Sequence, residues 1–303
     1  MTDLLQPAPK GFRSGYVTLV GAPNVGKSTL LNTLLKEKIS ITSARPQTTR
    51  NRILGVVHRP NAQMVFLDTP GVHASAKAMN RRIVEAAIAT LAEADLVVLM
   101  VDLTSHDTDA ENMLLKHLPS SGTPVLLALN KTDQADRETV LAAIAEWSSR
   151  YDFCDIVPIS ALKASQIDDL LQAMAPQLPE GPPFFPEDSI TDQPVRFIAA
   201  ELIREKAFRL TGEEIPYAVA VTVEAFVEEP EKGRVRIHAT IHVERSSQKG
   251  IVIGKGGAKL KEIGTAARGD IERLLGTRVF LKLFVRVQKN WTRDTKALRR
   301  FGY

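Results

Sequence analysis

Cysteine is almost missing from this chain of 303 residues, and long apolar runs are missing altogether. Cys154 is the only cysteine, so the chain forms no disulfide within itself and has no cysteine-based zinc cluster, as expected in a reducing cytosol. We expect this side chain to be a small core residue. No apolar stretch approaches the ~20 residues of a membrane span. Residues 1–14 lack the apolar centre of a signal peptide, so we expect a short disordered lead.

Charge is distributed unevenly in an otherwise ordinary composition of 44% hydrophobic and 24% charged residues. From Pro194 onward there are 22 lysines and arginines against 13 acidic residues, a net charge of +9, whereas the preceding residues carry −5. The basic part predicts contact with a polyanion, or else a solvated basic face, and composition alone leaves both open. The length favours two domains.

Residues Gly21–Ser28 match the pattern G-x-x-x-x-G-K-[ST]. They lie between a predicted strand, Tyr16–Val20, and a predicted helix that begins at Thr29, which is the context of a phosphate-binding loop. Lys27 would reach the β- and γ-phosphates and Ser28 would bind Mg²⁺. The residues predicted to contact the nucleotide are Gly21, Ala22, Pro23, Asn24, Val25, Gly26, Lys27, Ser28 and Thr29.

Apolar runs alternate with amphipathic patterns as far as Leu178, which predicts an α/β domain with a mostly parallel sheet. Ligands of such sheets bind at the carboxyl ends of the strands. The further predicted strands are Ile53–His58, Gln63–Asp68, Leu96–Asp102, Pro124–Asn130 and Asp155–Pro158.

The second of these runs ends in Asp68-Thr69-Pro70-Gly71. Asp68 would supply the acidic Mg²⁺ contact, and the Gly71 N–H would approach the γ-phosphate. In the loop 45–50, Thr49 (or Thr48) would close over Mg²⁺ when GTP is bound. An ordinary polar loop is the alternative at this place.

Asn130-Lys131-Thr132-Asp133 follows another strand and predicts selectivity for guanine. Asp133 can accept hydrogen bonds from N1–H and the exocyclic amine of guanine, whereas adenine offers neither donor at that edge. Asn130 would steady the loop and meet the purine N7, and the stem of Lys131 would cover the ring. Backbone N–H groups of Ser160-Ala161-Leu162 would contact the guanine carbonyl. We therefore predict a GTPase.

The absence of one glutamine bears on the rate of GTP hydrolysis. Ras-like enzymes orient the attacking water with a glutamine after the Asp-x-x-Gly element, and Val72 occupies that position here. We expect slow intrinsic hydrolysis, with Lys27, Thr49, Gly71 and Asn24 as the groups that act on the reacting phosphates. Asn24 would help to hold a monovalent cation such as K⁺; shaping the turn is the alternative.

Residues 179–193 are rich in proline and predict a stiff linker after a GTPase domain of residues 15–178. Residues 194–303 then read helix, strand, strand, helix, glycine-rich loop with helix, strand, an α+β unit. We expect the first helix to be Val195–Thr211. We also expect a helix from Ala258 to about Arg268 and a further helix that ends at Leu275.

The glycine-rich loop Gly254-Lys255-Gly256-Gly257 matches the GXXG pattern that clamps about four single-stranded nucleotides. The residues predicted to bind RNA are Ile253, Gly254, Lys255, Gly256, Gly257, Lys259 and Lys261. The tail from Lys289 to Tyr303 interleaves basic and aromatic residues, which would grip RNA or pack on the domain.

These motifs, in this order and over nearly the whole chain, closely resemble the Era family of bacterial GTPases. The resemblance implies a P-loop GTPase domain followed by a type II KH domain. It also implies binding to the 3′ end of 16S rRNA and help in maturation of the 30S subunit. A cytoplasmic monomer is expected, and the family adds peripheral association with the inner membrane. The alternatives are a related GTPase that acts on another RNA, in tRNA modification or large-subunit assembly, and an RNA-binding module with a vestigial nucleotide site.

Overall fold

The computed structural model describes residues 9–42, 53–68, 91–119, 122–211, 219–294 and 301, with Asp68 and Arg293 described by their backbone alone. The chain divides into two compact units, Met1–Asp192 and Gln193–Tyr303. The boundaries predicted from the sequence at 178 and 193 stay predictions, but residues 179–192 belong to the first unit.

The first unit is built on a six-stranded sheet in the order β2-β3-β1-β4-β5-β6, parallel throughout except for the antiparallel pair β2 and β3. Its strands are β1 (Arg13–Gly21), β2 (Ile53–Arg59), β3 (Ala62–Asp68), β4 (Leu96–Asp102), β5 (Val125–Asn130) and β6 (Asp155–Pro158). Its helices are α1 (Lys27–Leu35), α2 (Thr108–His117), α3 (Arg137–Ser148) and α4 (Ile167–Met174).

The central strands are near-continuous apolar runs because helices cover a parallel sheet on both faces. Every residue of β4 and β5 is buried. Aspartates fix the starts of two helices: Asp107 accepts the Ala110 N–H at 3.0 Å and Asp136 accepts the Thr139 N–H at 2.8 Å. The hydrogen bond from the Thr139 backbone lowers the pKa of Asp136.

Two predictions for the first unit are wrong. Arg13 and Ser14 belong to β1, so the predicted disorder does not extend to them. Cys154 is exposed because it precedes the edge strand β6 instead of lying inside the sheet. The stiff segment of residues 179–192 is attached to the first unit. Backbone N–H groups of Phe184 and Phe185 donate to Gln63 Oε1 at 2.6 and 3.0 Å, and the Phe184 ring stacks on Tyr16.

The second unit has a three-stranded sheet covered on one face by helices, as an α+β fold requires. Its elements in chain order are α5 (Val195–Leu210), β7 (Ala220–Glu229), β8 (Arg234–Val243), α6 (Ser246–Ile253), α7 (Ala258–Leu275) and β9 (Arg278–Val287). In the order β7-β8-β9, the first pair is antiparallel and the second is parallel.

Helix α7 corrects the predicted break near Arg268, because it continues without interruption to Leu275. Ile263, Ala267 and Ile271 are buried at a spacing of four residues, so one continuous apolar stripe holds the helix on the sheet. The glycine-rich stretch is also shorter than the sequence suggests. Gly250 to Ile253 complete α6, and the chain leaves helical geometry at Gly254.

The described part of the tail packs on its own unit. Trp291 and Phe301 are 1% and 7% exposed and form a buried cluster with Ala220. These two rings therefore stabilise the fold and are unavailable for stacking on bases, whereas the basic residues Lys296, Arg299 and Arg300 lie outside the described residues.

Candidate nucleotide and RNA sites

The carboxyl ends of β1, β4 and β5 meet at one edge of the first sheet, as predicted. The phosphate loop connects β1 directly to α1. A Cβ at Gly21 would lie 2.6 Å from the Met100 carbonyl oxygen, so only glycine lets β1 run this close to β4. Gly26 has φ +104°, and a Cβ there would lie 2.3 Å from Asn130 Nδ2.

Asn130 joins three loops of the predicted guanine-nucleotide site. Its side chain is 2% exposed; Nδ2 donates to the Val25 carbonyl at 2.6 Å, and Oδ1 accepts the Ala161 N–H at 2.9 Å. The predicted role in steadying the loop is therefore visible. Its predicted contact with purine N7 stays a prediction.

The Lys27 ammonium lies inside the phosphate loop. Nζ donates to the carbonyls of Gly21 and Ala22, both at 2.9 Å, and the residue is only 7% exposed. A cation held in this way concentrates positive charge at the start of α1, where backbone N–H groups and the helix dipole already favour phosphate. Asn24 is exposed and has φ +64°, and both of its predicted roles, holding a cation and shaping the turn, stay predictions.

Asp133 is exposed, and its carboxylate is oriented by one hydrogen bond. Ser160 Oγ donates to Asp133 Oδ1 at 2.6 Å, and this bond is the main reason that the pKa of Asp133 is lowered. An ionised carboxylate with its remaining lone pairs facing solvent can accept the two N–H donors of guanine.

Two residues of the predicted base site have hydrogen-bond or ion-pair partners within the chain. The backbone N–H groups of Ser160 and Ala161 donate to Ser165 O at 3.1 Å and to Asn130 Oδ1, so Ser160 acts here through its hydroxyl; the contact of this loop with the guanine carbonyl stays a prediction. The Lys131 ammonium pairs with the buried carboxylate of Asp102, which fixes the lysine stem. Asp102 was not predicted, although it ends β4 at the same edge.

The predicted magnesium ligands are described only in part. Ser28 lies in the first turn of α1, and the backbone of Asp68 pairs in register with Leu19, two residues before the phosphate loop. Thr48, Thr49, Thr69, Pro70, Gly71 and Val72 lie outside the described residues.

The GXXG loop connects α6 to α7 in the second unit. Gly254, Gly256 and Gly257 all have positive φ, of 71°, 59° and 82°. A Cβ at Gly254 would lie 2.7 Å from Cβ of Lys259, whereas one at Gly256 would meet nothing within 4 Å. The loop therefore depends on glycine for its conformation, and it leaves its outer surface open to a phosphate backbone.

A groove of about 430 Å³ runs from this loop between α7 and β9. Lys255 and Lys261 are exposed beside it, and Lys259 donates to Glu262 at 2.8 Å. The groove residues are Gly257, Leu260, Lys261, Gly264, Thr265, Arg268, Leu281, Lys282 and Leu283. The sequence prediction missed Arg268 and Lys282. Arg268 follows Lys261 by seven residues and lies on the same face of α7, a spacing that the predicted helix break concealed.

Comparison with known proteins agrees with this division. The 50S ribosome-binding GTPase family matches residues 16–131, and the KH domain family matches residues 214–292. GTPase Era of Geobacter metallireducens is 52% identical over 96% of this chain and 98% of its own length. GTPase Era of Geotalea uraniireducens is 51% identical over 97% and 99%. The chain belongs to the Era family of GTPases.

Solved Era structures share the whole fold. A crystal structure of an Era variant from Aquifex aeolicus bound to GDP·AlF₄⁻ is 43% identical, covers 96% of this chain and 99% of its own, and has a TM-score of 0.90. A second Era structure, with the same identity, coverage and TM-score, contains MgGDPNP and nucleotides 1506–1542 of 16S ribosomal RNA. As an Era-family GTPase with a KH domain, the chain hydrolyses GTP. No helix among the described residues is long and apolar enough to cross a membrane.

Proposed function

We propose that this chain binds the 3′ end of 16S rRNA in the groove between α7 and β9 and assists maturation of the 30S subunit in the course of GTP hydrolysis. The observation that carries the proposal is the presence in one chain of a carboxylate oriented by Ser160, Asp133, which we assign to guanine, and a glycine loop open to a phosphate backbone. The related Era bound to nucleotides 1506–1542 of 16S rRNA supports the choice of RNA.

RNA crosslinked to the chain in cells identifies the RNA directly. We expect fragments from the 3′ end of 16S rRNA. Enrichment of tRNA or of large-subunit rRNA instead would replace the proposal by the related activity on another RNA.

The groove is tested by neutralising Lys255 and Lys261 together with glutamine in the full chain. Affinity for a 16S 3′-end oligonucleotide should fall about tenfold at moderate salt, and the salt slope should shrink, because two phosphate contacts are lost. Lys116→Gln, an exposed lysine of α2 in the first unit, is the control and should change neither value. Equal affinities for all three proteins would remove the groove from the account.

For the nucleotide, we propose that Ser28, Thr49 and Asp68 hold Mg²⁺ and that Lys27 and the Gly71 N–H stabilise charge on the γ-phosphate. The position of Asp68 beside β1 and the MgGDPNP of the related Era support this set. Lys27→Ala should abolish turnover and leave the fold intact. Unchanged turnover would refute the role of Lys27.

We further propose that intrinsic GTP hydrolysis is slow and that K⁺ held by Asn24 contributes to it. Val72 offers no hydrogen bond to an attacking water. GTP turnover in K⁺ and in Na⁺, measured for the wild-type chain and Asn24→Ala, tests it. A response to K⁺ that Asn24→Ala retains would assign Asn24 to turn shape alone.

We also propose that the chain is a cytoplasmic monomer that attaches peripherally to the inner membrane. Its physical support is the basic charge of the second half, which is attracted to anionic lipid as well as to RNA. Sedimentation with anionic vesicles in competition with RNA tests attachment, and vesicle binding that RNA does not compete away would locate it on another surface.

A further inference from the structure

Strand β4 ends in a buried carboxylate that none of the predicted contacts with GTP uses. Asp102 is 5% exposed, and the register of the sheet pairs it with Asn130 of β5. Strand β4 lies between β1, which leads into the phosphate loop, and β5, which leads into the predicted base-binding loop. Asp102 therefore lies at the carboxyl edge of the sheet, between the two loops that would hold the ends of the nucleotide.

The two oxygens of this carboxylate have different partners. Oδ1 accepts the backbone N–H of Thr104 at 2.9 Å and its hydroxyl at 2.7 Å, which closes the turn after β4. Oδ2 accepts the ammonium of Lys131. Asparagine closes turns of this kind as aspartate does, so the turn needs Oδ1 alone. The negative charge of Asp102 is therefore explained by Lys131 and not by the turn.

The ion pair determines where the Lys131 side chain lies. Lys131 follows β5 with φ +70°, and its side chain is 28% exposed. Neighbouring strands are about 4.8 Å apart, and a lysine stem that starts beyond β5 and ends at Asp102 crosses this distance. The stem runs along the carboxyl edge of the sheet, from the base-binding loop towards the phosphate loop. Because both partners belong to the chain, the pair holds the stem extended independently of the nucleotide.

A lysine stem without this partner would have to be ordered whenever a nucleotide binds. Its flexible chain carries conformational entropy, and that loss would lower the affinity. The Asp102 carboxylate is buried and accepts three hydrogen bonds, so it is itself a rigid anchor for the ammonium. Order that exists in the folded chain raises affinity without any further contact to the ligand.

We propose that Asp102 is a positioning residue for the binding of guanine nucleotides, which orients the Lys131 stem against the purine ring and does not touch the nucleotide. A stem on the face of the ring contacts guanine and xanthine alike, so Asp102 sets the affinity and Asp133 sets the choice of base. The contribution of Asp102 is the same for GTP, GDP and the transition state, because the base does not change in the reaction. This inference rests on the predicted cover of the base by Lys131.

The test is Asp102→Asn in the full chain, which keeps the turn and removes the negative charge. Affinities for GTP and for GDP should both fall about tenfold, the upper end of the cost of ordering one long side chain on binding. Single-turnover hydrolysis at saturating GTP should keep the wild-type rate, since loss of uniform binding leaves the chemical step unchanged. Asp152→Asn, which neutralises an exposed carboxylate between α3 and β6, is the control and should change none of these values.

Lys131→Met shows whether Asp102 acts through the lysine. Methionine keeps an apolar stem and lacks the ammonium, so Asp102 has nothing left to orient. Asp102→Asn added to Lys131→Met should therefore lower the affinity for GTP no further. A further tenfold loss in this background would mean that Asp102 acts through the turn at Thr104, and it would overturn the proposal.

Xanthosine triphosphate separates affinity from the choice of base. In a chain that carries Asp133→Asn, adding Asp102→Asn should lower the affinity for xanthosine triphosphate by the same factor as it lowers GTP affinity in the wild-type chain. A loss confined to GTP would assign Asp102 to the choice of base and would contradict the proposal.

Lys131→Ala removes the stem and tests the predicted cover itself. If this variant binds GTP as the wild-type chain does, the cover is wrong, and the proposal for Asp102 fails with it. If Lys131→Ala loses affinity and Asp102→Asn does not, only the proposal for Asp102 fails.

Thermal unfolding checks that each variant folds. If Asp102→Asn does not fold, Lys131→Arg and Lys131→Met give the same comparison, because arginine keeps both the stem and the ion pair whereas methionine keeps the stem alone. Lys131→Arg should then bind GTP more tightly than Lys131→Met, and equal affinities would overturn the proposal.

Discussion

At the residue scale, guanine selectivity depends on how Ser160 and Asp133 are arranged. Asp133→Asn replaces an acceptor by a donor opposite the exocyclic amine of guanine, so GTP affinity should fall about 100-fold or more. Xanthine carries a carbonyl at that position, and xanthosine triphosphate should gain affinity. Competition between the two nucleotides measures both changes. GTP binding that survives intact would mean that another group reads the base.

The Ser160 hydroxyl has a separate consequence at the same scale, because its hydrogen bond lowers the pKa of Asp133. Base binding needs the carboxylate ionised, and affinity is lost as the pH falls through this pKa. Ser160→Ala should therefore move the acid limb of GTP affinity to higher pH while affinity near neutrality changes little. Titration of affinity against pH for both proteins checks the shift, with Ser148→Ala, at an exposed position of α3, as control. Identical limbs would contradict it.

At the element scale, the junction of α6 and α7 distinguishes the glycines of the GXXG loop. Gly254→Ala places a methyl group 2.7 Å from Lys259 Cβ at a positive φ and should cost about 3 kcal/mol of unfolding free energy. Gly256→Ala has the same strained φ but open space and should cost about 1 kcal/mol. Urea unfolding followed by Trp291 fluorescence, in a Trp147→Phe background, measures both. Equal costs would show that strain, and not contact, governs the loop.

The same scale shows what sequence could and could not predict. The buried parallel strand β4 is apolar up to its last residue, so it was predicted to the residue, and the short edge strand β6 was predicted to the residue as well. The motifs fell at strand ends. The predicted break in α7 was wrong because the helix tolerates Gly269. The apolar stripe of the helix continues on both sides of this glycine. Asp102 and the Ser160 hydroxyl act through contacts between residues distant in sequence, and no local pattern announces such contacts.

At the scale of the whole molecule, the chain contains a GTPase unit and an RNA-binding unit of opposite net charge. We propose that the bound nucleotide, GTP or GDP, changes the affinity of the groove for RNA. The factor by which GTP, relative to GDP, changes the affinity for RNA equals the factor by which RNA changes the affinity for GTP relative to GDP. RNA should therefore change the ratio of GTP to GDP affinity by the same factor.

The most direct measurement is the affinity of the full chain for a 16S 3′-end fragment, taken with a saturating non-hydrolysable GTP analogue and again with GDP. The account predicts affinities that differ by about fivefold or more, which corresponds to about 1 kcal/mol of coupling. Asp133→Asn provides the control, because xanthosine nucleotides and not guanosine nucleotides should then produce the difference. Equal RNA affinities in the two nucleotide states would contradict the central claim.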